Sequence, residues 1–320
     1  MALAIYKMKE KITFACTLFN EEKSIASFLD SILNQSVKPD EIIIVDGGSR
    51  DNTVKIIQDY QKKSKIKIKL FILPGANIAK GRNKYIEEAK GDFLFSGDLG
   101  TRFEKDWIKK MLVGFKSGAD IVIGRYYAET PNKKIEEIIA SRFPDFDKFS
   151  AKDWENFLPS NRQLAFRLSK WKELGKFPEQ IDRADDTIMH MRAKKRGFRY
   201  YYAKDATVFW RARDNLKSYL RLAYSDSVSD GQIGIVFKRK IYILEFLVII
   251  FQFLMILFLI MSPWFLIGLF LSLLVIFLKE GWQIYKRTKK FNFLFYGGMI
   301  MVLLFYAHAF GGIVGLFKKR

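Results

Sequence analysis

The sequence predicts an α/β fold, a mostly parallel sheet flanked by helices, followed by a C-terminal set of transmembrane helices. Three observations carry that expectation. Short β-branched runs alternate with segments of helical periodicity over roughly the first hundred residues. One run, Ile42-Ile43-Ile44-Val45, is apolar at every position, as suits a strand buried on both faces of a parallel sheet. From Ile241 onward the chain turns into long apolar runs separated by basic clusters.

The elements follow in order. Ile12 to Thr17 reads as a first strand, and Leu18 to Glu22 as the loop after it. Ser24 to Leu33 reads as a helix with Ile25, Phe28, Leu29 and Ile32 on one face. The strand at Ile42 to Val45 stops at Asp46-Gly47-Gly48-Ser49, where two glycines remove Cβ obstruction and let backbone approach a ligand. Ser49 or Asp51 is placed to cap the helix that opens at Thr53 and runs to about Lys62. A carboxylate at the C-terminal tip of a strand faces the ligand crevice of an open α/β sheet, which makes Asp46 a candidate ligand contact. The competing reading of Asp46 is an ordinary strand-to-helix turn. Residues 66–73 form a third strand ending at Pro74-Gly75, and residues 78–90 a helix containing Arg82-Asn83. Phe93-Leu94-Phe95 is a short strand that runs into Ser96-Gly97-Asp98. This alternation is that of a doubly wound parallel sheet.

Composition assigns the rest of the chain. Of 320 residues, 49% are hydrophobic, and the net charge is +20. Residues 241–261 are long enough to span a bilayer of roughly 30 Å. Ser262-Pro263 breaks that run. Residues 264–278 form a second apolar stretch, short for a span, and residues 293–317 a third. The tail from Ile241 holds eight Lys or Arg against two Glu, leaving +14 for the residues before it. Lys238-Arg239-Lys240 and the Lys286 to Lys290 loop both read as cytoplasmic, which fits a two-span hairpin between them. The third stretch has two readings. A full crossing puts Lys318 to Arg320 outside, against the positive-inside tendency, whereas Gly297-Gly298 and Gly311-Gly312 permit a bent or re-entrant segment. The expected organisation is therefore a soluble α/β domain at 1–215, an amphipathic interfacial helix or linker at 216–240, and a membrane region at 241–320. In the linker, Leu216, Tyr219, Leu220, Ala223 and Tyr224 recur at helical spacing.

The N-terminus shows no cleavable signal peptide, and Cys16, the single cysteine, excludes an internal disulfide or a Cys-based metal site. Membrane segments account for the basic charge better than nucleic acid does, and no nucleic-acid-binding pattern is present.

Taken in order, the motifs resemble those of glycosyltransferase family 2, inverting sugar-nucleotide transferases of the GT-A fold, over roughly residues 11–235. They are TLFNEE at 17–22, VDGGSRDNT at 45–53, GRN at 81–83, GDLGT at 97–101, FLPSNRQLAF at 157–166, LGKFPE at 174–179 and ADDT at 184–187. The nearest likeness is to membrane-attached members. The resemblance implies that Asp46 contacts the nucleobase and Glu21 approaches the ribose of a nucleotide-sugar donor. It implies that Asp98 stands at the first acid of a D-x-D motif, where Mg²⁺ or Mn²⁺ bridges it to the donor phosphates. Gly100 replaces the second acid. The competing reading of Asp98 is a helix cap near Glu104. In ADDT the second acid, Asp186, falls on the general base and Asp185 on its orienting neighbour; adjacent carboxylates repel, which raises one pKa. The competing reading there is charge complementing a helix dipole. Arg82, Arg162, Arg211 and Arg213 are candidate diphosphate contacts; Arg82 lies just before the strand leading to Asp98 and Arg162 in the acceptor-side half, and the competing reading of both is an ordinary surface arginine. His190 reads as a packing residue, and Trp210 as either a stacking platform or core. The expected acceptor is a lipid-linked molecule, such as a polyprenyl phosphate, or a glycan, met at the cell membrane by a cytoplasmic catalytic domain. The rival function is a catalytically inactive membrane scaffold or sugar-nucleotide sensor, with Gly100 in its favour.

Overall fold

Side chains that alternate above and below a strand must find apolar cover on both sides when the strand is central. Strand β2 (Glu41–Asp46) is buried at all its positions and lies between β1 (Ile12–Leu18) and β3 (Lys67–Ile72), parallel to both. In the computed structural model, which describes residues 10–129, 134, 137–138, 143, 146–211, 215–237, 240–258, 262 and 264–318, β1 also pairs in parallel with β4 (Phe93–Ser96). Helices α1 (Ile25–Leu33), α2 (Thr53–Lys63) and α3 (Ile78–Glu88) connect these strands.

The second half of the sheet runs differently. After β5 (Thr101–Phe103), α4 (Trp107–Lys116) and β6 (Ile121–Glu129) come α5 (Ala151–Asn156), β7 (Leu164–Arg167), α6 (Leu168–Glu173), α7 (Asp185–Lys195) and β8 (Tyr200–Arg211). The eight strands lie in the order β3-β2-β1-β4-β7-β6-β8-β5. Pairing is antiparallel at β4–β7, β6–β7 and β5–β8, so the expectation of a doubly wound parallel sheet holds for the first four strands and gives way to a mixed sheet beyond them. The physical reason is that β4 takes as its next neighbour β7, a strand far along the chain that runs the opposite way, while β5, starting three residues after Asp98 where a helix cap near Glu104 was the competing expectation, pairs with β8 at the edge and α4 begins only at Trp107.

Both faces of the sheet are covered. On one, Phe14, Phe28, Phe103 and Trp107 pack mainly edge to face. On the other, Ile43, Val45, Leu94, Phe166, Trp171, Phe177 and Met189 form a continuous apolar cluster. Gly97 belongs at the join, because a Cβ there would lie 2.5 Å from Phe103 Cζ and 3.2 Å from Phe14 Cζ. The close approach leaves Asp98 at the open C-terminal end of β4.

The chain divides into two compact units, Met1–Tyr127 with Asp145–Arg211, and Ala128–Pro144 with Ala212–Arg320. The sequence reading kept residues 128–144 with the catalytic domain. The second unit contains α8 (Leu216–Gln232), α9 (Lys240–Phe258), α10 (Phe265–Thr288) and α11 (Asn292–Phe317). Helices α10 and α11 are long and apolar enough to cross a membrane, while the apolar Tyr242–Phe258 part of α9 is shorter. Helix α10 continues ten residues past Leu278, through Lys279 and Lys286, so the second apolar stretch is not the short one its composition suggested. Lys238, Arg239 and Arg213 lie outside the described residues.

In α8 the buried run is Ser227-Val228-Ser229-Asp230-Gly231, and of the five apolar residues read as its membrane face only Tyr219 is buried. The reason lies in α11, where Gly311, Gly312 and Gly315 offer backbone in place of side chains, and α8 packs directly on them. A Cβ on Gly311 would meet the Tyr224 carbonyl at 2.5 Å, and one on Gly315 would overlap the Val228 carbonyl. Gly315→Val should therefore lower the stability of the helical unit by about 2 kcal/mol through overpacking, read as a lower melting temperature in detergent. An unchanged melting temperature would mean that the two helices are not in backbone contact.

Candidate active site

The C-terminal ends of β1, β2 and β4 and the N-terminus of α7 bring the sequence-nominated residues into the first unit. Asp46, at the tip of β2, is fully buried, and both its oxygens are engaged by its own turn. Its Oδ1 accepts from the backbone N–H of Gly48 at 2.8 Å and of Ser49 at 2.7 Å, and its Oδ2 accepts from Ser49 Oγ at 2.5 Å. This carboxylate shapes the turn at the tip of β2, and its Oδ2 accepts from a single donor, Ser49 Oγ. Gly48 takes φ +94°, which L-residues rarely adopt, and so completes the turn. Glu21 accepts from Ser24 Oγ, while its own N–H donates to Thr53 Oγ1 at 2.7 Å, tying the loop after β1 to the start of α2. Beside it Phe19 is 54% exposed, and a Cβ on Gly47 would lie 3.6 Å from its ring. Sequence reading passed over Phe19; an aromatic residue beside a double-glycine turn was the available signal.

Arg82 is the centre of the charged cluster. Helix α3 buries it to 5% exposure, and its Nη1 donates to Asp185 Oδ2 at 2.7 Å while Nη2 donates to Asp98 Oδ1 at 3.1 Å. Asn161, with its amide oxygen turned toward the guanidinium, accepts from Nη1 at 2.7 Å and from Nε at 3.1 Å. The Asn161 backbone carbonyl in turn accepts from Ser96 Oγ at 2.9 Å, so β4 holds the residue that holds Arg82. Phe177 lies 5.6 Å from the guanidinium carbon. Burial alone would lower the Arg82 pKa, but Asp185 and then Asp98 outweigh it and keep the group charged. Asn161 was not nominated from the sequence, although it sits in the PSNR segment.

The acidic pair divides its work. Asp185 is 3% exposed and locked to Arg82, whereas Asp186 is half-buried, with Oδ1 accepting from the Thr187 N–H at 2.7 Å. Burial first, and then Asp185 and Asp98, push the Asp186 pKa up to about 6 against the opposing pull of Arg82. Ala184, just before the pair, has φ +62° and turns the chain sharply into α7.

Arg162 completes the cluster. Its Nε stands 3.9 Å from Asp98 Oδ2 with no hydrogen-bond partner, and its guanidinium carbon lies 4.0 Å from the Trp210 ring centroid and 5.0 Å from that of Tyr126. Trp210 thus serves as a platform for Arg162. Arg211 is tied through its backbone N–H to the Gly100 carbonyl at 2.7 Å. His190 is fully buried, its Nδ1 3.0 Å from Tyr200 Oη; burial and then Lys194 and Arg82 press its pKa down to about 3, so it packs as a neutral ring.

Among the described residues no group of three or more His, Cys, Asp or Glu gathers as a metal cage. Asp98 presents one carboxylate, one third exposed, with Oδ2 only loosely engaged. A hard divalent cation fits here if phosphate oxygens supply further ligands.

Comparisons with known proteins agree on one family. The model of Glycosyl transferase family 2 matches residues 14–175. "Putative glycosyltransferase EpsH" of Bacillus subtilis is 31% identical over 165 residues, covering 51% of this chain and 46% of that protein. "O-antigen chain rhamnosyltransferase RfbN" of Salmonella typhimurium is 26% identical over 214 residues, covering 62% of this chain and 65% of that protein. The matched part thus spans about half to two thirds of the length of these relatives. The crystal structure of S. aureus TarS 1-349 in complex with UDP-GlcNAc superposes with a TM-score of 0.53 at 19% identity, covering 68% of this chain and 66% of that one, and identifies the mixed sheet as a GT-A fold.

Arg82→Met should leave Asp185 buried without its cation and destabilise the first unit by about 3 kcal/mol, measured by thermal or denaturant unfolding. A change under about 1 kcal/mol would show that Asp185 finds another partner or is neutral.

Proposed function

The chain belongs to glycosyl transferase family 2, and on that premise we propose that it moves a sugar, with inversion, from a nucleotide-sugar donor to a lipid-linked or glycan acceptor. The observation that carries the reading is the buried Arg82, which joins Asp98 at the tip of β4 to Asp185 at the start of α7. It gathers a phosphate-facing acid and an acidic pair into one cluster and leaves Asp186 with a raised pKa.

A general base works best with a pKa near the operating pH. Asp186 takes the proton of the acceptor hydroxyl, and that oxygen bonds to the anomeric carbon as the bond to the diphosphate breaks on the opposite face. A single displacement of this kind inverts the centre. Asp98 would hold a Mg²⁺ or Mn²⁺ ion together with the diphosphate, and the ion would supply charge neutralisation to the leaving group. Arg82 is fully engaged within the protein, and Arg162, stacked on Trp210 beside Asp98, is the arginine proposed to meet the diphosphate. The nucleoside lies against Glu21, the Asp46 turn and the exposed ring of Phe19. UDP-GlcNAc, bound in the TarS structure, is the first donor to try.

We also propose that α9, α10 and α11 attach the enzyme to the cell membrane and that the first unit faces the cytoplasm. The organisation is a catalytic domain over residues 1–215, a connecting helix over 216–240 and a membrane region over 241–320. Two helices of sufficient length and the basic clusters beside them support this reading.

Three outcomes test the chemistry. Asp186→Asn should reduce transfer by at least a hundredfold while leaving UDP affinity, measured by calorimetry, within about threefold. Asp98→Ala should abolish the Mn²⁺-dependent gain in UDP binding as well as transfer; a retained gain rejects Asp98 as the ion's ligand. The Asp186 carboxylate must be ionised to accept a proton, so kcat/KM should fall as pH drops through about 6. A profile flat from pH 5 to 8 would exclude it as the base.

A further inference from the structure

The three apolar helices of the second unit pair with one another in an unusual sense. Helices α9 and α10 are antiparallel about their shared turn: Phe258 stacks on Phe265 at 5.5 Å, a Cβ on Gly268 would lie 3.0 Å from Met255 Sδ, and Gln252 Nε2 donates to Ser272 Oγ at 2.9 Å. Helices α10 and α11 are antiparallel about the next turn, with Tyr285 beside Phe291 at 6.4 Å and a Cβ on Gly298 meeting Phe277 at 2.8 Å. Helices α9 and α11 are antiparallel as well. Tyr306 Oη donates to Gln252 Oε1 at 2.7 Å, His308 Nδ1 lies 2.7 Å from Glu245 Oε2, and a Cβ on Gly312 would meet Tyr242 at 3.2 Å.

Three upright helices cannot all be mutually antiparallel, since two of them must share a direction. Pairwise antiparallel contact therefore requires the axes to close a triangle, head to tail. The contacts follow that shape. Those between α9 and α10 named above lie near the turn, at Gln252 to Phe258 and Phe265 to Ser272; farther out each helix meets α11 instead. Both ends of α11 thus lie toward the open end of the α9–α10 hairpin, Phe291 beside Tyr285 and Gly312 beside Tyr242.

Charge follows the same division. Lys240 begins α9, Lys286 to Lys290 close α10, and Lys318 ends α11, all at the open end; the sequence between α9 and α10, residues 259–264, has no Lys or Arg. Helix α8 covers the glycine face of α11 and exposes Lys217, Arg221 and Ser225 on its outer side. Helix α11 alone is apolar on every face; the charged face that a position at the headgroup boundary requires is supplied by Lys217 and Arg221 of the covering α8.

We propose that α9 and α10 cross the membrane as a hairpin while α11 does not cross, lying instead along the leaflet on the basic side with both its ends on that side. At 26 residues α11 spans about 39 Å along its axis, so length does not decide the matter; direction and charge do. The partner of this surface is an anionic leaflet, which the clustered lysines favour. The inference rests on the membrane attachment proposed above.

The test uses the full chain with one added cysteine at a time, Ser262→Cys, Lys286→Cys or Lys318→Cys; the native Cys16 is buried and serves as the unlabelled control. A membrane-impermeant maleimide is applied to intact cells and to inverted vesicles. Labelling of the 286 and 318 variants from one face only, the same face, and of the 262 variant from the other is the expected result. Labelling of the 286 and 318 variants from opposite faces overturns the proposal, because α11 then crosses. Labelling of all three from one face overturns the hairpin crossing. Loss of the unmodified protein from vesicles in alkaline carbonate would instead reject the membrane attachment itself, separately from the orientation of α11.

Discussion

A guanidinium removed from water must be matched by carboxylates, and the carboxylates that match Arg82 come from two separate parts of the chain. Asp98 stands at the end of β4 and Asp185 at the start of α7, 87 positions later in the sequence. Replacing such a cluster with apolar side chains can leave a protein equally stable, so stability alone does not account for it. What it supplies is position. Asp185 is fixed, Asp186 is turned outward beside it, and burial, reinforced by the two neighbouring acids, raises the Asp186 pKa. Asn161 and Ser96 extend the arrangement back into the sheet.

The first half of the fold was legible in the sequence because a strand buried on both faces can hardly be anything else. Ile42 to Val45 announced β2, and helical spacing announced α1 through Ile25, Phe28, Leu29 and Ile32, all of which are fully buried. The antiparallel half was not legible. Strands β5 and β7 hold three and four residues, too few for a period to show, and the order in which β6, β7 and β8 join the sheet is set by contacts far apart in sequence. At the site, residue type was readable but engagement was not. Asp46 was readable as a carboxylate at a strand tip, but the three hydrogen-bond donors of its own turn were not. Arg82 was readable as a basic residue near the strand leading to Asp98, but its pairing with both Asp98 and Asp185 was not. Arg162, held over Trp210 beside Asp98, takes the diphosphate in the proposed mechanism.

The helical unit follows a different physical logic. In the membrane setting proposed for it, the hydrophobic effect does not drive helices together, so close backbone approach and a few polar contacts must do it. Gly311, Gly312 and Gly315 allow α8 to approach, and the Tyr242, Glu245 and His308 contacts hold α9 against α11. The glycines were visible in the sequence as possible bends. Their use as a packing surface depended on α8 presenting Ser227 and Gly231, residues that no amphipathic pattern singles out.

The central claim is that Arg82 and Asp185 act as one unit in positioning Asp186. A double-mutant cycle on Arg82→Met and Asp185→Leu, read in both unfolding free energy and kcat/KM, tests it most directly. Strong coupling is expected, with the double variant no less stable than either single variant and transfer no lower than in the worse of the two. Additive losses in both readouts would contradict it, since the two residues would then be acting independently.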